Sequence, residues 1–211
     1  MRQSAKTWNS LLFLGSCLLL GCGNDDTNDP NSEGDHGPQA LKRFVGAVDD
    51  SDAQVAVVTD GLQARIYFCG GDETLEQATH WFNINRTDFS GDVVMADKAF
   101  ELRARFSDDA VTGEVTYDTD GPHAFASELV ASNTLTGLYE GFDSCGRLGL
   151  IIKQVGPGNI LSGQGACIAS GKPPEQVNPI TPLAVQDGKV TVNAPDKDAT
   201  LDLKLANLTP L

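Results

Sequence analysis

The side chains best suited to chemistry in this chain are three histidines, five cysteines and a large acidic excess. Cys69, in Ile66-Tyr67-Phe68-Cys69-Gly70-Gly71-Asp72, is a candidate nucleophile at a strand end if His80 or His123 serves as its base. No Cys-His signature surrounds it, and a small apolar strand residue accounts for it better. Asp118-Thr119-Asp120-Gly121 opens like a Ca²⁺ loop but lacks the third acid before the glycine and the closing Glu. The same residues serve a hairpin turn, since Asp and Gly tolerate positive φ. Asp49-Asp50-Ser51-Asp52 reads as a solvated strand connection. Neither Gly156-Pro157-Gly158 nor Gly163-Gln164-Gly165 has phosphate-loop spacing, and no Gly-x-Ser-x-Gly, His-Glu-x-x-His or Cys-x-x-Cys occurs. The sequence thus calls for no metal and no cofactor, and it marks no catalytic residue. Trp81, Tyr139 and Glu140 are the candidate ligand contacts, because exposed aromatic rings beside a carboxylate suit a sugar or an apolar ligand. On short strands such rings also fill cores.

The elements that position these residues follow a period of two. Phe100, Leu102, Ala104 and Phe106 alternate with Glu101, Arg103 and Arg105, and Val111, Gly113, Val115 and Tyr117 alternate with Thr112, Glu114 and Thr116. Folding them about Ser107-Asp108-Asp109-Ala110 sets Phe106 opposite Val111, Leu102 opposite Val115 and Phe100 opposite Tyr117, a self-consistent hairpin. Similar strands are expected near 43–48, 54–58, 62–69, 81–86, 92–96, 123–131, 147–154 and 160–169. Asp72 to Thr79 has room for one or two helical turns. About ten short strands with turn signals between them predict an all-β antiparallel sandwich or barrel over residues 40–170. Residues 171–187 read as a Pro-rich connector. Residues 188–211 read as a hairpin about Ala194-Pro195-Asp196-Lys197-Asp198 that must dock on the main domain, because two strands alone are not stable.

Cys145 and Cys167 flank a hairpin centred near Gly156, which favours a disulfide between them in an oxidising compartment. Closing such a loop stabilises by roughly 3 kcal/mol in the chain-entropy model. Three cysteines beyond Cys22 nonetheless allow three single pairings.

At the amino end, Arg2 and Lys6 precede an apolar run from Leu11 to Leu20, about half the ~20 residues that span a bilayer as a helix. A charged segment followed by a short apolar one is a targeting signal. The junction Leu19-Leu20-Gly21-Cys22 resembles the lipobox of bacterial lipoproteins. That resemblance implies removal of residues 1–21 and a lipid on Cys22, which makes a membrane the first partner. Gly23, where an Asp would retain such a protein at an inner membrane, implies outer-membrane sorting where the organism has one. Leu14-Gly15-Ser16-Cys17 is a second match, but it leaves an apolar run of only about six residues, below the usual range.

Residues 22–39 hold five acids, no base and no apolar residue after Cys22, the composition of an extended, self-repelling spacer. Removing residues 1–21 leaves thirteen basic residues against twenty-nine acidic ones, a formal charge of −16. Such a chain is repelled by phosphate, which argues against nucleic acid as a partner. The expectation is a lipid-anchored envelope protein whose β domain is structural or binds a protein or small-molecule ligand without catalysis. The alternatives are a hydrolase built on Cys69 and the histidines, or an acidic inhibitor or ligand of a cationic protein.

Overall fold

A computed structural model describes residues 39–86, 89–97, 99–117, 121–155, 160–180, 182–193 and 200–208. The signal segment, Cys22, the acidic spacer up to residue 38, and the turns at 118–120, 156–159 and 194–199 lie outside the described residues.

The first eight strands are β1 (Lys42–Val48), β2 (Gln54–Thr59), β3 (Gln63–Cys69), β4 (His80–Asn85), β5 (Val93–Asp97), β6 (Phe100–Phe106), β7 (Ala110–Thr116) and β8 (His123–Leu129). One short helix, α1 (Leu75–Ala78), stands between β3 and β4. The strands form an antiparallel sheet in the order β4-β3-β2-β1-β8-β7-β6-β5. It is a meander that curls until its first and last strands pair and leaves its one gap between β4 and β5, a half-barrel. Side chains bridge that gap: His80 Nε2 lies 3.2 Å from Asp97 Oδ2, and the His80 and Phe100 rings stack at 4.1 Å. The alternating residues fill the concave face, among them Phe44, Phe68, Phe82, Leu102, Val115 and Phe125. Phe106 faces Val111 and Leu102 faces Val115, the register that the alternation requires.

The remaining strands are β9 (Gly137–Asp143), β10 (Gly146–Gln154), β11 (Leu161–Ile168), β12 (Glu175–Pro179), β13 (Val185–Gln186), β14 (Lys189–Asn193) and β15 (Thr200–Leu205). β9 pairs with β15 on one side and β10 on the other. Asn178 opposite Asn193 and Pro179 opposite Val192 join β12 to β14, which closes a six-stranded barrel. Its interior holds Tyr139, Leu148, Leu150, Ile152, Val190 and Leu203. The Pro-rich segment 171–187 therefore supplies strands of this barrel as well as linking parts of it. The last hairpin forms its wall, because β15 gives the unpaired edge of β9 a partner.

A third apolar cluster joins the two sheets, with Ala56, Val58, Tyr67 and Cys69 from the half-barrel meeting Leu138, Ile151 and Ala166 from the closed barrel. β10 crosses the half-barrel strands in succession. Arg147 lies over Trp81 of β4, the Gly149 carbonyl meets Tyr67 of β3, Ile151 packs in the cluster with Ala56 and Val58 of β2, and Lys153 reaches the outer face of β1 and β8. β10 thus runs obliquely across the half-barrel strands. Gly149 is required at the crossing, since a Cβ there would lie 2.6 Å from the Tyr67 ring and 2.7 Å from the Trp81 ring.

Candidate functional site

Of the three candidate ligand contacts, Trp81 and Glu140 fall at this junction and Tyr139 inside the closed barrel. Trp81 stacks on Tyr67 with ring centroids 4.2 Å apart, and the Arg147 guanidinium lies 3.6 Å above the Trp81 ring. Glu140 is only 4% exposed; its two oxygens accept hydrogen bonds from Arg65 Nη1 at 2.6 Å and Arg147 Nη2 at 2.9 Å. Arg65 also donates to the Asn207 carbonyl at 2.8 Å. Burial pulls the Arg147 guanidinium below its ordinary pKa, and Glu140 opposes that shift. Tyr139 points the other way, because neighbours on a strand alternate. It is 2% exposed inside the closed barrel and donates its hydroxyl proton to the Leu135 carbonyl at 3.0 Å. Trp81 and Glu140 are therefore brought together through Arg147, while Tyr139 is separated from them by its own strand. Glu140 is buried, Trp81 is half-buried, and Phe142, 60% exposed, is a ring of this region that faces water.

Arg65, Arg147, Tyr67 and Gln164 carry the junction, and sequence reasoning did not single them out. One signal was available. Arg65 interrupts the apolar run Ala64 to Cys69, and a charge in a run buried on both faces needs an internal partner. Tyr67 Oη accepts the Ala166 N–H at 3.2 Å, and burial holds its phenol well above the ordinary pKa. Gln164 ties the sheets at their other margin, donating to the Cys69 carbonyl at 2.6 Å and the Asp52 carbonyl at 3.1 Å while accepting from Gln54 Nε2 at 2.9 Å.

The Cys69 thiol is buried, and burial pushes its pKa up to about 12. It belongs to the junction face of β3. His80, opposite Phe68 in the register, belongs to the half-barrel interior, where it meets the Phe82 and Phe100 rings. His123 stacks on Tyr117 at 4.7 Å. A nucleophile and its base must lie within hydrogen-bond reach, and strand alternation puts Cys69 and His80 on opposite sides of one sheet.

Cys145 and Cys167 are bonded, with Cα atoms 6.1 Å apart. Their hairpin is shifted from the spacing expected of it. Cys167 lies opposite Leu148, so Cys145 reaches it diagonally from the β9–β10 turn rather than from across a ladder. Asp52 closes another connection: its carboxylate accepts the N–H groups of Gly71 at 3.2 Å and Glu73 at 2.8 Å, as well as the Thr74 hydroxyl. Burial would raise its pKa, and these hydrogen bonds outweigh burial and hold it below the usual carboxylate range. Among the described residues no group of three or more His, Cys, Asp or Glu side chains is arranged to hold a metal ion.

Two open concavities flank the junction. A polar cleft of about 430 Å³ lies between Asp52, Asp72, Glu73, Gln164, Gln176 and Asn178. A less polar groove of about 480 Å³ runs where β10 overhangs β1 and β8, with Val45, Ala47 and Ala126 among its lining residues and Glu128, Thr136 and Lys153 beside them. Burial lowers the pKa of Lys153. Comparison with protein-family models, with curated proteins and with solved structures finds no match.

Proposed function

We propose that this is a lipid-anchored protein of the bacterial cell envelope, outer-membrane sorted where there is one, whose two-barrel domain is a non-catalytic binding or structural module. The anchor rests on Leu19-Leu20-Gly21-Cys22 and the acidic spacer behind it. The observation that most supports a non-catalytic domain is the fate of its candidate nucleophile: Cys69 is sealed in the junction with its pKa at about 12, on the sheet face away from His80. A thiol activated for catalysis is accessible, with its pKa depressed. Trp81 and Glu140 are engaged in joining the two sheets and Tyr139 fills the closed barrel, which leaves the open grooves as the surfaces for a protein or small-molecule partner.

Mass spectrometry of the amino-terminal peptide tests the anchor. The expected result is a diacylated Cys22, lost in Cys22→Ser and retained in Cys17→Ser. An unmodified amino end, or a lipid on Cys17, defeats it. Turnover of a generic hydrolase substrate that vanishes in a folded Cys69→Ala or His80→Ala variant would restore the hydrolase.

A further inference from the structure

The three cysteines of the domain meet at β11 from its two sides. Ala166 and Ile168 of this strand pack in the same cluster as Cys69, whereas Cys167, between them in sequence, packs inside the closed barrel with Cys145. Strand alternation therefore sets the Cys69 thiol and the Cys145–Cys167 bond on opposite faces of β11, with its backbone between them. A thiolate must reach a sulfur of a disulfide to exchange with it. Gln164 holds the arrangement by donating from β11 to the Cys69 carbonyl at 2.6 Å. Gly165 guards it as well. A Cβ there would lie 2.6 Å from the Gly149 carbonyl oxygen, so neither Gln164 nor Ala166 can take its place opposite Leu150. That excludes the one-residue slip of β11 along β10 that would turn Cys167 toward Cys69.

We propose that docking of the two barrels gates an internal thiol–disulfide exchange: while the junction is closed the Cys145–Cys167 bond stands, and when β11 lifts from β3 the Cys69 thiolate attacks Cys167 Sγ. The Cys69–Cys167 bond forms as the Cys145–Cys167 bond breaks. The electron pair leaves on Cys145, which takes from solvent the proton that Cys69 gave up. One disulfide replaces another, so no oxidant or reductant enters. Leu138, Ile151, Ala166 and Ile168, from β9, β10 and β11, belong to the cluster that covers Cys69, so undocking wets the thiol. Burial that holds its pKa at about 12 keeps it silent in the closed domain, and in water it returns toward the ordinary 9.0 and ionises. The product ties β3 to β11 across the junction. It also frees Cys145, half-buried in the β9–β10 turn. The disulfide pairing thus records whether the barrels have been apart, a property that rests on neither the membrane anchor nor a ligand.

The test uses the full chain with Cys17→Ser and Cys22→Ser, which removes the amino-end thiols, in detergent at about pH 8.5, near the ordinary thiol pKa, without added thiol. Samples are quenched in acid, alkylated and mapped as non-reduced peptides. This background should keep Cys145–Cys167 throughout. Gln164→Ala, which removes a tie between β11 and Cys69, should yield Cys69–Cys167 several-fold faster, while Glu114→Ala on the far hairpin should not. Adding Cys69→Ala to Gln164→Ala should abolish both the new bond and the alkylation of Cys145. Without Gln164→Ala, urea below the global transition should speed exchange with a shallower slope than global unfolding, because only the junction opens. Exchange that follows the full slope of global unfolding overturns the proposal. So do equal acceleration by Glu114→Ala, a product that is mainly Cys69–Cys145, and a Cys69 that stays unbonded in a folded Gln164→Ala variant.

Discussion

The β2–β3 and β6–β7 hairpins have the same antiparallel connectivity and nearly the same length, yet they lie in different surroundings. In β6 and β7 burial alternates: Leu102, Ala104, Val111 and Val115 are inside, while Glu101, Arg103, Thr112 and Glu114 are in water. In β2 and β3 every residue from Val55 to Thr59 and from Ala64 to Cys69 is buried. The difference is the footprint of the closed barrel, which converts the outer face of one hairpin into a second core and leaves the other solvated. A charge then has opposite meanings in the two places. Arg103 opposite Glu114 is a surface pair, whereas Arg65 and Arg147 share the buried carboxylate of Glu140, whose loss removes the ion-pair partner of both.

The largest effect should come from testing that contrast directly. Glu140→Ala leaves two guanidiniums in the junction without their carboxylate and should cost about 3–5 kcal/mol in urea unfolding, while Glu114→Ala on the solvated hairpin should stay within about 0.5 kcal/mol. Similar costs for both would mean that the junction admits water. The next effect separates the two sheets themselves. Reducing the Cys145–Cys167 bond, whose loop is 22 residues long, should cost about 3 kcal/mol, and hydrogen exchange should show the loss in β9 to β11 before β6 and β7. Uniform loss would show that the sheets unfold as one unit.

The remaining effect is alkaline. The Cys69 thiol is raised in the folded state from the ordinary 9.0 to about 12, so its contribution is complete below pH 9 and is lost as pH rises toward 12. Cys69→Ala should flatten the fall in stability over that window, and a thiol reagent at pH 9 should label Cys69 only on unfolding. Rapid labelling of the folded protein would place this face of β3 in solvent.

The half-barrel was legible because its information is local. Alternation sets the faces of β6 and β7, and short turns set who pairs with whom, so the predicted register of Phe106 with Val111 holds. The closed barrel was less so. β9, with Leu138, Tyr139 and Glu140 all buried, has no alternation to read, because one of its faces lines the barrel and the other meets a second sheet. β12 lies in a Pro-rich stretch whose composition reads as linker, and its pairing with β14 depends on closure of the whole ring. The disulfide partners followed from spacing, but the register did not, since Cys145 sits in a turn. Trp81, Tyr139 and Glu140 were identified by type; that Arg65 and Arg147 would consume two of them is a property of the junction, which no single segment encodes.

The ring closure has a further consequence for the order of events when the chain first folds. The half-barrel can assemble from neighbouring segments as they emerge, pairing β1 with β8 after β8 has arrived. β9 cannot complete its ladder until β15, far along the chain, is present. Such pairings of high contact order form slowly. A chain that has crossed a membrane amino end first would hold β9 and β14 with bare edges through that interval, as templates for other strands. Loss of the last dozen residues should therefore betray itself less as lost stability of the half-barrel than as aggregation seeded at Gly137–Asp143.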